Sequence, residues 1–497
     1  MGWYTNLLTH VAPQAALKRV QARRAVDMAK RSYEGASKGR RTRNWRAGNT
    51  SANAEISGAA ATLRARSRDL VRNDGWAKRA VEIVAESAVG GGIIPKADTG
   101  EDRLDRQIDE AFEEWSEAAD AEGQLDFYGL QDLAVNTIAE SGDVLMRRRR
   151  RRAEDRLAVP MQIQLMEPDH LDATHLKNAT TGFDIIQGIE LDRLNRRAAY
   201  WLYPTHPGEV GLLRPMRFTS DRVPADQIAH GYRKTRPGQL TGVPWLSGAM
   251  IDLRDLADYE GAEAVRKKTE ACFAGFVTRN DLIAGQAEIG EEDEDDAELE
   301  GFEPGMISYL EPGEDIKFAQ PTAMSGYDTY TRSRLHKIAT AAGMPYVLLT
   351  GDLSQVNWAS YKAGIVPFKQ GMRRFQKRTV LPMVCAPAWR WFIDSAFAAG
   401  RIDSLNYRAR WFLPSFEPID RQKELIADKL EARLGQASVD EQIRRSGRDP
   451  EKVRAEIVAW KDKTDAADLV FDSDPRKTSE AGLAQSAGPT EQPNTEE

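Results

Sequence analysis

"MRRRRRRAEDRLAVPMQIQL", residues 146–165, sets six arginines, Arg147 to Arg152, ahead of a polar turn and a second run of residues. In that second run Met161, Ile163 and Leu165 alternate with Gln162 and Gln164, the period-two pattern of a half-buried strand. Val144 and Met146 begin the same alternation ahead of the arginines. The two runs, joined by "AEDRLA", predict a pair of strands with the arginines on the first, half of them on each face. On such a strand the arginine stems cover apolar neighbours. The competing reading is a dedicated grip for nucleic acid or a targeting tag. A tag requires a flexible, exposed segment, which a strand is not.

On the N-terminal side, "AAATLRARSRDLVRNDGWAKRAVEIVAESAVGGGIIP" (59–95) places Leu63, Leu70, Ala77, Val81 and Val84 at helical spacing, and Gly90 to Gly92 stop the helix. "LDRQIDEAFEEWSEAAD" and "LQDLAVNTIAESGD" predict two more amphipathic helices. Further strands are expected through "DIIQGIELDRLNRRAAYWLYPTHP" and "RFTSDRVPADQIAHGYR". Pro244 then precedes a long helix whose apolar positions Leu246, Met250, Leu253, Ala257 and Ala264 share a face. "YDTYTRSRLHKIATAAG" is another helix, ended by Gly343 with Pro345 just beyond. A loop then opens into a helix carrying Phe368, Met372 and Phe375, which Pro382 and Pro387 are expected to kink or break. Near the end, Ser438 with Glu441, Gly447 and Asp449-Pro450 punctuate a helix–turn–helix. The fold class is α+β, predominantly helical. A basic arm ending in "RAGNTSANAEISG" and a polar tail are expected to be unstructured.

The net charge is −7, the wrong sign for a chain that holds nucleic acid through its bulk field. The charge is uneven: Leu17 to Arg46 is strongly basic, and "EIGEEDEDDAELE", Glu288 to Glu300, is almost wholly acidic. Cys272 and Cys385 sit among apolar residues and suggest packing rather than a disulfide framework. The most apolar long stretch is interrupted by Pro382, Pro387, Arg390 and Asp394 and fails as a membrane span. The product is expected to be soluble and intracellular.

"GGGIIPK" follows a helix and lacks the Gly-Lys-Ser/Thr ending of a phosphate loop, so no nucleotide or other cofactor is expected. The best metal-like group is "MEPDHLDATH", with Glu167, Asp169, His170, Asp172 and His175. Oxygen and imidazole ligands at that density suit a divalent cation for phosphodiester hydrolysis. A metal-dependent nucleic-acid-processing enzyme using Glu167, Asp169 and His170 is therefore the alternative reading. Against it, Pro, Asp and His are common turn formers after a strand. There is no Gly-x-Ser-x-Gly elbow for a serine nucleophile, and the last helix, "PEKVRAEIVAW", is too acidic to read a major groove.

"GMPYVLLTGDLSQVNWASYKAG" (Gly343 to Gly364) closely resembles a segment of tailed-bacteriophage portal proteins of the lambda type. So do Ala65 to Pro95, "MQIQLMEPDHLD" and "GYRKTRPGQLTGVPWLSGAM", in the same order, spanning roughly residues 45 to 460. The basic arm, the acidic loop and the tail depart from that pattern.

The resemblance implies a homo-oligomeric ring of about twelve subunits at one capsid vertex, with double-stranded DNA passing through its axial channel. A separate terminase would drive the DNA, and a major capsid or scaffold protein and a head-completion protein would be further partners. It implies a structural, non-enzymatic role without metal or cofactor, in the virion and, during assembly, in the host cytoplasm. On this reading residues 1–50 are a flexible arm and 51–245 a wing. Residues 246–272 and 323–345 are stem helices carrying Asp252, Arg254, Asp255, Asp258, Arg334 and Lys337. Residues 273–322 form a clip with the acidic loop Glu291, Glu292, Asp293, Glu294, Asp295 and Asp296. Residues 359–415 return to the wing, 416–470 form a helical crown and 471–497 a tail.

The loop 346–358, with Asp352, Leu353, Ser354, Gln355, Val356, Asn357 and Trp358, would be the tunnel loop nearest DNA. It has one carboxylate and no Lys or Arg, which suits a conduit that must not hold its cargo. A plain interhelical surface loop is the competing reading there. The acidic loop is either a solvated insertion or a docking surface for a basic partner. The basic arm is open to two readings, a solvated tail or a contact to scaffold, capsid protein or DNA.

Overall fold

A computed structural model describes residues 47–209, 219–271, 276–279, 314–317, 326–414 and 421–469, with Phe471 and scattered positions before residue 45. Most of the basic arm, the acidic loop with Glu291 to Asp296, and the tail after Phe471 lie outside the described residues. The chain divides into two units, Met1–Ala54 and Glu55–Glu497, and the second holds nearly all of the described helices and sheets.

Gln14, Lys18, Arg19 and Gln21 to Arg23 in the arm expected to be unstructured are helical, and helix α1, Ala52–Asn73, starts inside the "SANAEISG" stretch expected to be unstructured as well. Its single mid-helix glycine, Gly58, costs only about 1 kcal/mol, which the Ala, Glu, Leu and Arg residues around it offset. The single helix expected to reach Val89 is two helices. Asp74 adopts an extended backbone, and its carboxylate accepts the Ala77 N–H at 2.8 Å, capping a new helix, α2, over Gly75–Val89. The hydrophobic spacing runs across this break and conceals the turn chemistry of Asn73-Asp74-Gly75.

Strand β1 (Ile94–Ala97) and helices α3 (Asp102–Glu117) and α4 (Phe127–Ser141) come next. Rings of Phe112, Trp115 and Phe127 from this part meet Trp389 and Phe392, with centroids 5.1–5.6 Å apart. Such tilted and edge-on packing is what the ring quadrupoles favour. The Trp115 indole N–H donates to the Met161 carbonyl at 2.8 Å, so its burial leaves no orphaned donor.

The arginine run is a strand. β2 (Asp143–Arg150) pairs antiparallel with β3 (Met161–Met166) on one side and β8 (Ile228–Tyr232) on the other. Its period-two alternation separates two cores: Val144 and Met146 enter the main one, and Leu145 enters a smaller one with Ile189, Tyr200 and Val223. The smaller core is roofed by a four-stranded antiparallel sheet of β4 (Asp184–Ile186), β5 (Ile189–Leu191), β6 (Arg197–Leu202) and β7 (Asp221–Pro224).

Arg148, on the Val144 face, reaches Ser395 (2.8 Å), Asp394 (3.3 Å) and the Trp391 carbonyl (3.4 Å). Arg149 and Arg151, on the other face, donate to Gln164 and Gln162. Only Arg150 and Arg152 are exposed. The run is architecture.

Beyond the sheets come α5 (Met250–Ala271), the paired strands β9 (Phe276–Arg279) and β10 (Glu314–Lys317), α6 (Tyr327–Ala342) and a short α7 (Tyr346–Thr350). Then α8 (Trp358–Phe375) runs through a ten-residue π-helical stretch, Gln376–Cys385, into α9 (Ala386–Ala398). Pro382 neither breaks nor ends this rod. The wider π turn accommodates a ring that would clash with a carbonyl in an α-helix, and Pro387 falls near the start of α9, where a missing N–H is tolerated. Strand β11 (Ala409–Phe412) returns to pair with β1. Helices α10 (Arg421–Arg433), α11 (Val439–Arg445) and α12 (Pro450–Ala466) end the described chain. Ser438 and Asp449 cap the last two through the N–H groups of Glu441 and Glu451, but the Glu441 carboxylate accepts from Arg445, so only half of the capping box that Ser438 and Glu441 suggest is formed.

In urea unfolding, Arg148→Ala should cost about 1–3 kcal/mol, because it removes the charge partner of Asp394, leaving that carboxylate its Tyr407 bond, and the partner of Ser395. Arg150→Ala should stay within about 0.5 kcal/mol. Equal, negligible costs together with a flattened salt dependence of DNA binding would instead mark the run as a nucleic-acid grip.

Candidate functional site: the helical hairpin and the loop that follows it

Helix α5 enters from Pro244 through a 3-10 turn, Trp245–Gly248. Its buried stripe is Leu246, Ala249, Met250, Leu253 and Leu256. Ala257 and Ala264, expected on that face, are exposed. Ala257 stands four residues after buried Leu253, on the same face, so from there on that face of the helix is uncovered among the described residues.

Asp252 points at α6, where its Oδ1 accepts from Lys337 Nζ at 2.6 Å and Arg334 Nη1 at 3.0 Å. Arg334 also donates to the Tyr330 hydroxyl at 3.0 Å, and Tyr259 lies 4.4 Å from the Tyr330 ring. Three of the six predicted hairpin charges are thus joined in one clasp between the helices. Arg254 and Asp258 pair at 3.3 Å on an exposed face with Asp255.

Gly343, left-handed at φ 73°, ends α6, and Trp245 Nε1 donates to the Ala342 carbonyl at 2.7 Å. His336 of α6 stacks on Tyr346 of α7, 4.1 Å between centroids. Left-handed Gly351 then turns the chain into the loop. Asp352 Oδ1 accepts the Ser354 N–H at 2.9 Å, while Oδ2 accepts from Arg332 of α6 (3.1 Å) and the Tyr346 hydroxyl (3.3 Å). The Ser354 bonds, ahead of the Arg332 charge, hold the Asp352 carboxyl below its usual range. Leu353, Ser354, Gln355 and Asn357 are exposed, and Val356 is half-buried. Asn357 and Ser360 form a reciprocal capping box at the start of α8, whose first residue is Trp358. The loop's one acid is therefore neutralised by the hairpin, and its rim presents apolar and neutral polar groups.

The metal-like cluster is spoken for. Arg68 of α1 donates to Asp169 at 2.6 Å and pairs with Glu167 at 2.8 Å, and Arg64 approaches Asp169 at 3.5 Å. His206, which no local motif tied to this group, sits 3.2 Å from Glu167. It replaces His170, whose Nδ1 faces the Tyr203 carbonyl at 2.9 Å. Glu167, Asp169 and His206 are close enough to share an ion, but two guanidinium groups already balance the carboxylates.

Asp172 and His175 lie apart, with Ser220. Ser220 donates to Asp172 at 2.6 Å, and His175 Nε2 meets both at 3.2 and 3.3 Å. A hydrolytic relay needs acid and nucleophile on opposite ring nitrogens, so this is a structural knot. No helix among the described residues is long and apolar enough to cross a membrane.

Asp252, Arg334, Lys337, Asp352, Glu167 and Asp169 are thus all engaged in holding helices, strands and loops together. The chain belongs to the lambda family of phage portal proteins: the family model described as "Phage portal protein, lambda family" matches residues 38–376. That family is structural and is not known for enzymatic activity. A probable portal protein of Halomonas phage phiHAP-1 is 27% identical over 417 residues, covering 80% of this chain and 79% of that one. Among solved structures, a chain from the neck of a native gene transfer agent (GTA) particle with C12 symmetry gives a TM-score of 0.44 at 18% identity, covering 79% of this chain and 94% of that one. A chain from the native GTA virion gives 0.44 at 16% identity, with the same coverage.

Burial alone would raise Glu190, but the Arg222 fork at 2.9 and 3.0 Å, with Asn178 and Trp201, holds its carboxyl at about 2. A carboxyl lowered on folding stabilises the protein above its unfolded value, and that stability is lost as pH falls toward the folded one. Glu190→Gln should therefore remove up to about 1.4 kcal/mol per pH unit of slope from unfolding curves between roughly pH 4.5 and 2. Parallel curves for the two proteins would contradict the assignment.

Proposed function

We propose that copies of this chain close into a ring of about twelve at one capsid vertex, and that double-stranded DNA enters and leaves through the hole. Family membership carries the reading. The hairpin α5–α6 is the stem, the sheets and the helices of 359–415 the wing, and α10 to α12 the crown. The strands β9 and β10 root the clip, which meets terminase and head-completion proteins. Of the segment 346–358, Tyr346–Thr350 is the helix α7 and Trp358 opens α8, so residues 351–357 are the tunnel loop.

The physical support is what the loop leaves out. A duplex carries a negative charge about every 1.7 Å of axis, so a channel rich in free cations would bind it tightly. This loop offers none, and its single carboxylate is fixed by Arg332, where it neither attracts counterions nor repels phosphate strongly. The clasp ties Arg334 and Lys337 to Asp252, so it stiffens the stem and leaves one net positive charge there in place of two.

Negative-stain imaging and native mass of the full chain at moderate salt test this. Closed rings with a hole slightly wider than a duplex are expected. A monomer or dimer at every concentration tried, with or without scaffold, would refute it.

A further inference from the structure

A cleft of about 450 Å³ opens where the sheets meet the base of the hairpin. Arg233, Lys234, Arg374 and Arg378 surround it, with Trp245 and Phe375 on its floor, and no carboxylate lines it. None of the four cations has an ion pair among the described residues. Arg233 instead lies over the Trp245 ring, 4.4 Å from its centroid, and its charge and that of Arg374 oppose one another. Four like charges around one concavity are self-repelling, and an anionic partner relieves them.

A complementary surface occurs on the same chain. Ile251, Asp255, Asp258 and Ala262 recur at i, i+4, i+7 and i+11, one face of α5, and all are exposed. Ile251 is 76% exposed, more than any other large apolar residue of α5. The face combines an uncovered apolar side chain with two carboxylates. Asp258 has only the surface pair with Arg254, which a neighbour displaces at little cost. Ile251 lies six residues, about 9 Å of helix rise, beyond Trp245. The face and the cleft therefore lie at the same end of the hairpin.

We infer that the cleft receives the Ile251–Asp255–Asp258 face of a second copy of this chain, with Ile251 over Trp245 and Phe375 and the carboxylates against the arginines. The inference rests on the proposed ring and names one of its contacts. A ring joins unlike surfaces of successive copies, and this face and this cleft are unlike surfaces of opposite charge at the Trp245 end of the hairpin. A duplex is the weaker occupant: the surface is a concavity of side-chain size with an apolar floor, and a rod carrying phosphates on its outside cannot reach into it.

The test is assembly of the full chain, monitored by native mass across a concentration series. Asp255→Arg with Asp258→Arg should raise the concentration for half-assembly at least about tenfold, as should Arg374→Asp with Arg378→Asp. Combining all four changes should restore much of the loss, a result that misfolding of either parent cannot produce. Wild-type rings unaffected by either pair would overturn this contact and leave the ring standing. The contact also falls if the Arg374/Arg378 pair weakens salt-dependent binding of a 30-bp duplex while rings persist. Absence of wild-type rings would overturn the ring itself, and the contact with it.

Discussion

The hairpin is held to the sheets by a backbone approach that leaves no room for a side chain. Gly142, at φ 94°, ends α4, and a Cβ there would lie 2.6 Å from the Val243 carbonyl carbon and 2.9 Å from the Pro244 nitrogen. Gly242 faces back, its N–H donating to the buried Asp143 carboxylate. Only glycine satisfies both the positive φ and the contact. From this point Pro244 aims the 3-10 turn and α5, and Trp245 ties down the far end of α6. One junction therefore sets where both helices start and finish. The loop 351–357 inherits its position from α6 through Arg332 and from α7 through Tyr346.

A second junction acts the same way. Arg68 joins "RSRDL" of α1 to "MEPDH" after β3, and Gln239 knits the strap after β8, accepting from Thr235 and donating to the Thr241 carbonyl, both at 2.8 Å. Both joints are closed by polar side chains. Their chemistry is structural, and the one cation that reaches the loop 351–357, Arg332, is paired with Asp352.

Much of this was legible in the sequence where periodicity and local chemistry agree. The alternation around Met161 to Leu165, the Ser438 and Asp449 caps and the Gly343 stop each stand in the structure as read. The misses have physical causes. Hydrophobic spacing runs unbroken across Asp74, so only its capping bond reveals the second helix. Pro382 signals a break in an α-helix but not in a π turn. His206 and Arg64 reach Glu167 and Asp169 from distant segments, and nothing local in "MEPDHLDATH" announces them. The clasp of Asp252 with Arg334 and Lys337 spans 82 and 85 residues, so charge patterning along either helix could not show it. Asp352 was visible as the loop's one acid, but its neutralisation by Arg332 was not.

The decisive measurement is a reconstruction of the assembled particle that locates residues 351–357 relative to the symmetry axis. A DNA conduit built as proposed has this loop at the narrowest point of the hole, with α5 and α6 forming the wall beside it. A loop facing the outer circumference, or a channel wall built instead from α10 to α12, is incompatible with that placement.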